Sequence, residues 1–285
     1  MDFIQQLKSM QKTSIRINYI SDSKAECPIG ASKVGGKPDL PPGFQWFYYY
    51  GKGVFDDDIS ANRPLSFLAQ INCGEIHKYD KDSLLPSAGM LYFFYEMETM
   101  PSGIYPGDKG GARVHYYPGD VSNLQRTDFP LELPAGLILP EMHISFSAEI
   151  SVPDFEEFRV WHEEYLYDNW MEFNKFKMEM CGEPPEDRPN MTKLLGYANL
   201  IQGHMLYDCE KVSKGYKLDA LMTTEESKQM DEGCKKWQML FQFDSISTDE
   251  YELLWGDSGS LYFYVPAGDL AKQSFDNCWT VLQCY

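Results

Sequence analysis

Phe67-Leu68-Ala69-Gln70-Ile71-Asn72 and Met239-Leu240-Phe241-Gln242-Phe243-Asp244 are two apolar runs, each interrupted by one glutamine and closed by a polar residue two positions later. Runs of this length, bounded by turn residues, read as strands. Upstream, Lys33-Val34-Gly35-Gly36-Lys37-Pro38-Asp39-Leu40 aligns with Lys193-Leu194-Leu195-Gly196-Tyr197-Ala198-Asn199-Leu200, a Gly-bearing turn in both. Downstream, Ser87-Ala88-Gly89-Met90-Leu91-Tyr92-Phe93-Phe94 aligns with Asp257-Ser258-Gly259-Ser260-Leu261-Tyr262-Phe263-Tyr264, an aromatic strand entered through a Gly. Three matches in the same order predict an internally duplicated chain. Either copy alone would leave an apolar sheet face wet. The expected fold is therefore α+β, with two similar β-rich halves packed into one compact body.

Outside the repeat, Phe3, Ile4, Leu7 and Met10 recur at helical spacing before the alternating strand Ile15, Ile17, Tyr19. Apolar runs at Phe44 to Tyr50, Leu65 to Ile71, Met90 to Tyr95 and Val114 to Tyr117 predict further strands. Ser151-Val152-Pro153-Asp154 carries helix-start chemistry, and Phe155, Phe158, His162, Tyr165, Trp170, Phe173 and Phe176 then form an aromatic stripe, predicting a helix that ends near Gly182. Another helix is expected from Thr224 to about Lys236, with Glu225 and Glu226 at its start and Lys235 and Lys236 at its end. The chain thus divides into a first half (1–150), a connecting segment (151–190) and a second half (191–285), expected to form one structural unit.

Composition narrows the function. Hydrophobic residues make up 43% of the 285, enough for a core, which excludes a disordered acidic tail. With 25 Lys+Arg against 43 Asp+Glu the net charge is −18, which repels phosphate backbones and disfavours nucleic acid as a partner. No apolar run is long enough to span a bilayer, and the opening residues do not read as a secretory leader, so a cytoplasmic protein is expected. Seven scattered cysteines without a Cys-x-x-Cys pair suggest reduced thiols rather than a disulfide scaffold or zinc ribbon. The sequon Asn190-Met191-Thr192 is then without consequence.

Gly35-Gly36-Lys37-Pro38-Asp39-Leu40-Pro41, Pro64 to Asn72, Leu194-Leu195-Gly196-Tyr197 and Trp255-Gly256-Asp257-Ser258-Gly259-Ser260-Leu261-Tyr262-Phe263 resemble the YwqG-like family, a bacterial group of unknown function, over nearly the whole chain. The resemblance implies a duplicated α+β fold and supplies no catalytic residue. Phe47 stands after Trp46 where many relatives carry Pro.

Several motifs invite sharper readings. Gly256-Asp257-Ser258-Gly259-Ser260 nearly spells a serine-protease nucleophile segment, but the five histidines sit in none of the usual contexts, and a turn into the aromatic strand explains the glycines. His162-Glu163-Glu164 lacks the second His of a zinc-protease helix, since position 166 is Leu. His115, His143, Cys209 and Cys234 show no close ligand spacing, Asp56-Asp57-Asp58 lacks the calcium-loop pattern, and Gly107 to Gly111 lacks the phosphate-loop pattern. No catalytic residue, metal or cofactor is expected. Gln70 and Gln242 must be satisfied if buried; structural hydrogen bonds are the first expectation, and a cleft lined by Gln70, Asn72, Gln242 and Asp244, with Trp255 as a stacking wall and Asp257 nearby, the second.

Charge, 19 tyrosines and the lack of a coherent catalytic set favour a non-catalytic interaction module engaging a basic protein partner, as toxin-neutralising immunity proteins do. The alternative is a small-molecule binder or enzyme with a polar pocket between the halves.

Overall fold

The computed structural model describes residues 3–20, 25–51, 60–165, 167–182, 190–248 and 251–285. Ten strands form one antiparallel sheet: β1 (Lys12–Tyr19), β2 (Lys33–Val34), β3 (Ser66–Asn72), β4 (Met90–Tyr95), β5 (Ala112–Tyr117), β6 (Met142–Ser151), β7 (Lys193–Leu194), β8 (Trp237–Asp244), β9 (Ser260–Pro266) and β10 (Trp279–Gln283). Their spatial order is β10-β9-β8-β7-β1-β6-β2-β3-β4-β5. The centre is the long pair β1 and β6, from Lys12 opposite Ser151 to Tyr19 opposite Ile144. To one side lie β2 to β5 and to the other β7 to β10, so β1 sits with the strands of the second half although it opens the chain. The sheet runs unbroken through the expected segment boundaries.

The two sides match in register. Lys33 pairs with Gln70 as Lys193 pairs with Gln242, and both long inner strands shift register at the same place, Phe67/Ala69 and Met239/Phe241. That irregularity turns Leu68 and Ala69, like Leu240 and Phe241, toward the same core. The turns after β2 and β7 use left-handed backbone at Gly35 and Gly36 (φ 62° and 65°) and at Leu195 and Gly196 (φ 59° and 76°). A Cβ on Gly36 would lie 2.6 Å from the Glu141 Cβ, and one on Gly196 2.6 Å from the Ser151 hydroxyl. Glycine is needed at both for space as well as for φ.

Alternation along the aromatic strands splits their side chains between two layers. Leu91, Phe93 and Tyr95 of β4 join Leu261, Phe263 and Val265 of β9 in one core. The sheet curls far enough that Phe93 meets Phe241, from the opposite side, with ring centroids 4.4 Å apart. Near the sheet edges the Trp279 indole donates to the Gly103 carbonyl at 2.7 Å and Leu282 N to Ser102 O at 3.0 Å. On the outer layer, Met90, Tyr92 and Phe94 are covered by Phe44, Trp46, Phe47 and Leu124. Tyr262 and Tyr264 are covered by helix α4 (Leu206–Ser213), which packs on α5 (Thr224–Cys234).

Three expectations change. The aromatic stripe is not one helix: α2 (Phe155–Arg159) and α3 (Trp170–Cys181) are separate elements, preceded in the chain by α1 (Phe3–Ser9). Folding back lets Phe155 and Phe158 pack against Phe173 at 5.2 and 5.3 Å, contacts that one straight helix could not make. Strand β6 and helix α4 are additional, and of the run Phe44 to Tyr50 only Tyr48–Gly51 is strand, paired with Ala61–Pro64. Asp56-Asp57-Asp58 lies outside the described residues. The mixed α+β body is as expected.

Candidate functional site

On the outer face of the first side, the polar residues close upon one another. The Gln70 Oε1 accepts from Asp39 N at 2.8 Å, while its amide donates to Ala31 O at 2.8 Å and to Asp39 Oδ2 at 2.7 Å. Arg126 donates to Asp39 Oδ1 at 2.5 Å and to Cys27 O at 2.7 Å. Lys33, with no exposed surface, bonds Glu141 at 2.7 Å and Lys37 O at 2.5 Å. Burial works to raise Glu141, yet the Cys27 N–H, Lys33 and Arg126 hold it below the ordinary carboxylate range. Asn72 caps the turn Cys73–Ile76 and donates to Gly30 O at 2.7 Å. Every charge here has its counter-charge.

Cys27, Glu141 and His143 bring ligand-type atoms within 4.8 Å of one another, the one such group of three found among the described residues. A metal there would compete with Lys33, Arg126 and the Cys27 N–H for Glu141. Burial, and then Glu141, push the Cys27 thiol up to about 12, and the His143 Nε2 lies 2.6 Å from Ala25 O. The cluster is organised as an ion-pair network.

The second side repeats the frame and changes the charges. Gln242 Oε1 accepts from Asn199 N at 3.0 Å, and Tyr262 donates to Asn199 O at 2.6 Å, as Tyr92 does to Asp39 O at 2.6 Å. Asp244 accepts from the Ser260 hydroxyl at 2.5 Å and Met191 N at 3.1 Å. Gln70 is engaged with Asp39 and Gln242 with Asn199, each on the outer face away from the shared core and with four strands between β3 and β8, so Gln70 and Asn72 do not share a cleft with Gln242 and Asp244. Trp255 is fully buried in the central core, edge-on to Tyr95 and Phe243, and Asp257 is exposed on the turn before β9. In that turn Ser258 has a left-handed φ of 60°, and Gly259 N donates to Trp255 O at 2.7 Å.

The registers fix which residues correspond around the two lysines. Lys33 lies opposite His143 and Val34 opposite Met142; Lys193 lies opposite Arg16 and Leu194 opposite Ile15. Glu141 on the first side therefore matches Ser14 on the second, and Asp39 matches Asn199. The lysine is kept while both carboxylates become neutral. Lys193 is 4% exposed, and among the described residues no hydrogen bond or ion pair reaches its Nζ. The Asn199 Oδ1 is likewise buried without a partner. Burial, and then the neighbouring Arg16 and Lys177, depress the Lys193 ammonium to about 7.

Lys193 and Asn199 line a cavity of about 880 Å³ between the outer face of β1, β6 and β7 and helix α3. Ser14, Arg16 and Glu149 form its floor beside Lys193, and Trp170, Asn174, Lys177, Met178 and Cys181 reach it from α3 at helical spacing. Arg16 forks onto Glu149 through Nε and NH2, both at 2.8 Å, and donates to Asn190 O at 2.8 Å. Lys177 is paired with Asp154. Of the three cations lining the cavity, Lys193 alone has no carboxylate within ion-pair distance, although the more distant Asp154 and Glu149 favour its charged form. Nearby, Glu157 is 3% exposed and burial raises its carboxyl to about 8 against the pull of Lys12, with Lys193 and Lys177 pulling the same way. No sequence signal separated Lys193 from Lys33; the nearest was Asn199 standing where the aligned first stretch has Asp39.

The chain belongs to the family described as a domain of unknown function (DUF1963), which matches residues 32–284. No curated protein matches it. Among the described residues, no helix is long and apolar enough to cross a membrane.

Proposed function

We propose that this protein binds a small organic anion in the cavity beneath α3, held by the charge of Lys193. The observation that carries the reading is a buried lysine stripped of the counter-ion its counterpart Lys33 possesses. An unpaired buried ammonium costs several kcal/mol, and a ligand carboxylate or phosphate offsets that cost on binding. The volume falls within the roughly 300–1,000 Å³ of small-molecule pockets. Trp170, Met178 and Ile150 offer an apolar wall, so the anion best suited is amphipathic. In this reading the second side of a duplicated, YwqG-like chain has kept the lysine for binding while the first side serves as structural support, and the setting is cytoplasmic.

Calorimetry with oxalate, citrate and inorganic phosphate at pH 6.5, backed by thermal shifts across a panel of metabolite anions, tests the reading. Lys193→Met is expected to lose binding while remaining folded. Silence from every anion, or undiminished binding by Lys193→Met, refutes it. The interaction module that engages a basic protein partner is the second reading; its support is the net charge of −18, and it requires salt-sensitive capture of such a partner.

A further inference from the structure

The geometry points to Lys193 as a covalent anchor, whose amine condenses with the carbonyl carbon of a small 2-oxo acid to form an imine on the cavity floor. This inference deepens the anion-binding reading and rests on it. The amine stands on β7, where main-chain pairing to β1 and β8 on either side fixes its base. No described side chain holds its Nζ, while Lys33, at the matched position, is tied to Glu141 and Lys37 O. Directly across the β1/β7 pair stands Arg16, and Lys177 reaches in from α3. These cations and the burial leave a substantial fraction of the amine neutral at pH 7, as nucleophilic lysines require. The same two cations favour a carboxylate adjoining the carbonyl.

The step needs no oxidant or reductant. The Nζ lone pair forms a bond to the carbonyl carbon as the C=O π pair moves to oxygen, giving a carbinolamine. Both amine hydrogens pass to that oxygen, the C–O bond breaks, water leaves and C=N remains. The unpaired Asn199 Oδ1 and the Ser14 hydroxyl line the space where that water is released and are suited to accept hydrogen bonds from it.

The test uses the full chain, glyoxylate as the carbonyl probe and cyanoborohydride to trap the imine at pH 7, with peptide mapping by mass spectrometry. Lys193 is expected to gain a carboxymethyl group at least about tenfold faster than exposed lysines, because its neutral fraction is larger, and Lys33 to stay unlabelled. Lys193→Arg, which keeps a cation and cannot form the imine, is expected to give no selective adduct. Oxalate, which has the charge but no aldehyde or ketone carbonyl, reports the underlying pocket in the same preparation. If oxalate binds and glyoxylate labels only exposed lysines, the imine is overturned and the anion site stands. If oxalate, citrate, inorganic phosphate and the metabolite anions all fail to bind as well, both fall. Equal labelling of Lys33 and Lys193 overturns the imine as well.

Discussion

Replacing each of the two matched lysines with methionine should move stability in opposite directions. Lys193 has its ammonium lowered from 10.5 to about 7 inside the fold. At about 1.36 kcal/mol for each tenfold change, that is a cost on the order of 3–5 kcal/mol, fully present below about pH 6, where both folded and unfolded chains carry the proton. Between about pH 7 and 10.5 the unfolded chain binds the extra proton, so stability rises with pH and the cost fades. Lys193→Met removes the charge and leaves an apolar side chain against Met191 and the α3 methionines. It is therefore expected to raise the melting temperature by roughly 5–10 °C at pH 6, at about 2 °C per kcal/mol for a chain of this size, with a smaller gain at pH 9. Lys33→Met strands Glu141 and Lys37 O instead, and should cost about 2–4 kcal/mol, Arg126 still reaching Glu141 at 3.5 Å. Calorimetric melts at pH 6, 7.5 and 9 decide the matter. A Lys193→Met variant that destabilises as much as Lys33→Met, or a gain that ignores pH, would show that Lys193 is not an uncompensated charge.

Two further outcomes follow from the same geometry. Ser14→Glu restores the carboxylate that Glu141 supplies on the first side; it should pair with Lys193, return its ammonium toward the ordinary range and abolish oxalate binding without unfolding the chain, as read by titration calorimetry and a melt. Glu157 is raised to about 8 by burial, so its cost is absent below about pH 4.5, grows between pH 4.5 and 8 and is full above that. Glu157→Gln should therefore stabilise by about 2–4 kcal/mol at pH 8 and by little at pH 4, measured by urea unfolding; an equal gain at both would refute the assignment.

Much of the fold was written in local pattern. The run Met90 to Tyr95 reads as a strand and is one over those very residues, because continuous aromatic character suits a strand buried on both faces. Gln70 and Gln242 announced themselves as buried amides, and each accepts from a backbone N–H of the turn segment on its own side of the sheet. Strand β6 was illegible because Ser145, Ser147 and Ala148 are exposed and interrupt any apolar run, and helix α4 because Glu210 and Lys211 are buried within it and break its apolar stripe. The split between α2 and α3 depends on Phe173 reaching Phe155 and Phe158, contacts that no helical periodicity foretells.

Sequence by itself determined that two stretches share an order of residue types, each with a lysine, a turn, a glutamine strand and an aromatic strand. Only the tertiary structure decided that the two stretches differ in chemistry. Glu141 meets Lys33 across 108 positions of chain, while Lys193 lies opposite Arg16 and has Ser14 at the place that matches Glu141. Whether a buried charge is neutralised depends on what crosses the sheet beside it, and strand order, here with β1 in the centre beside β7, is set by packing the whole chain around a shared core.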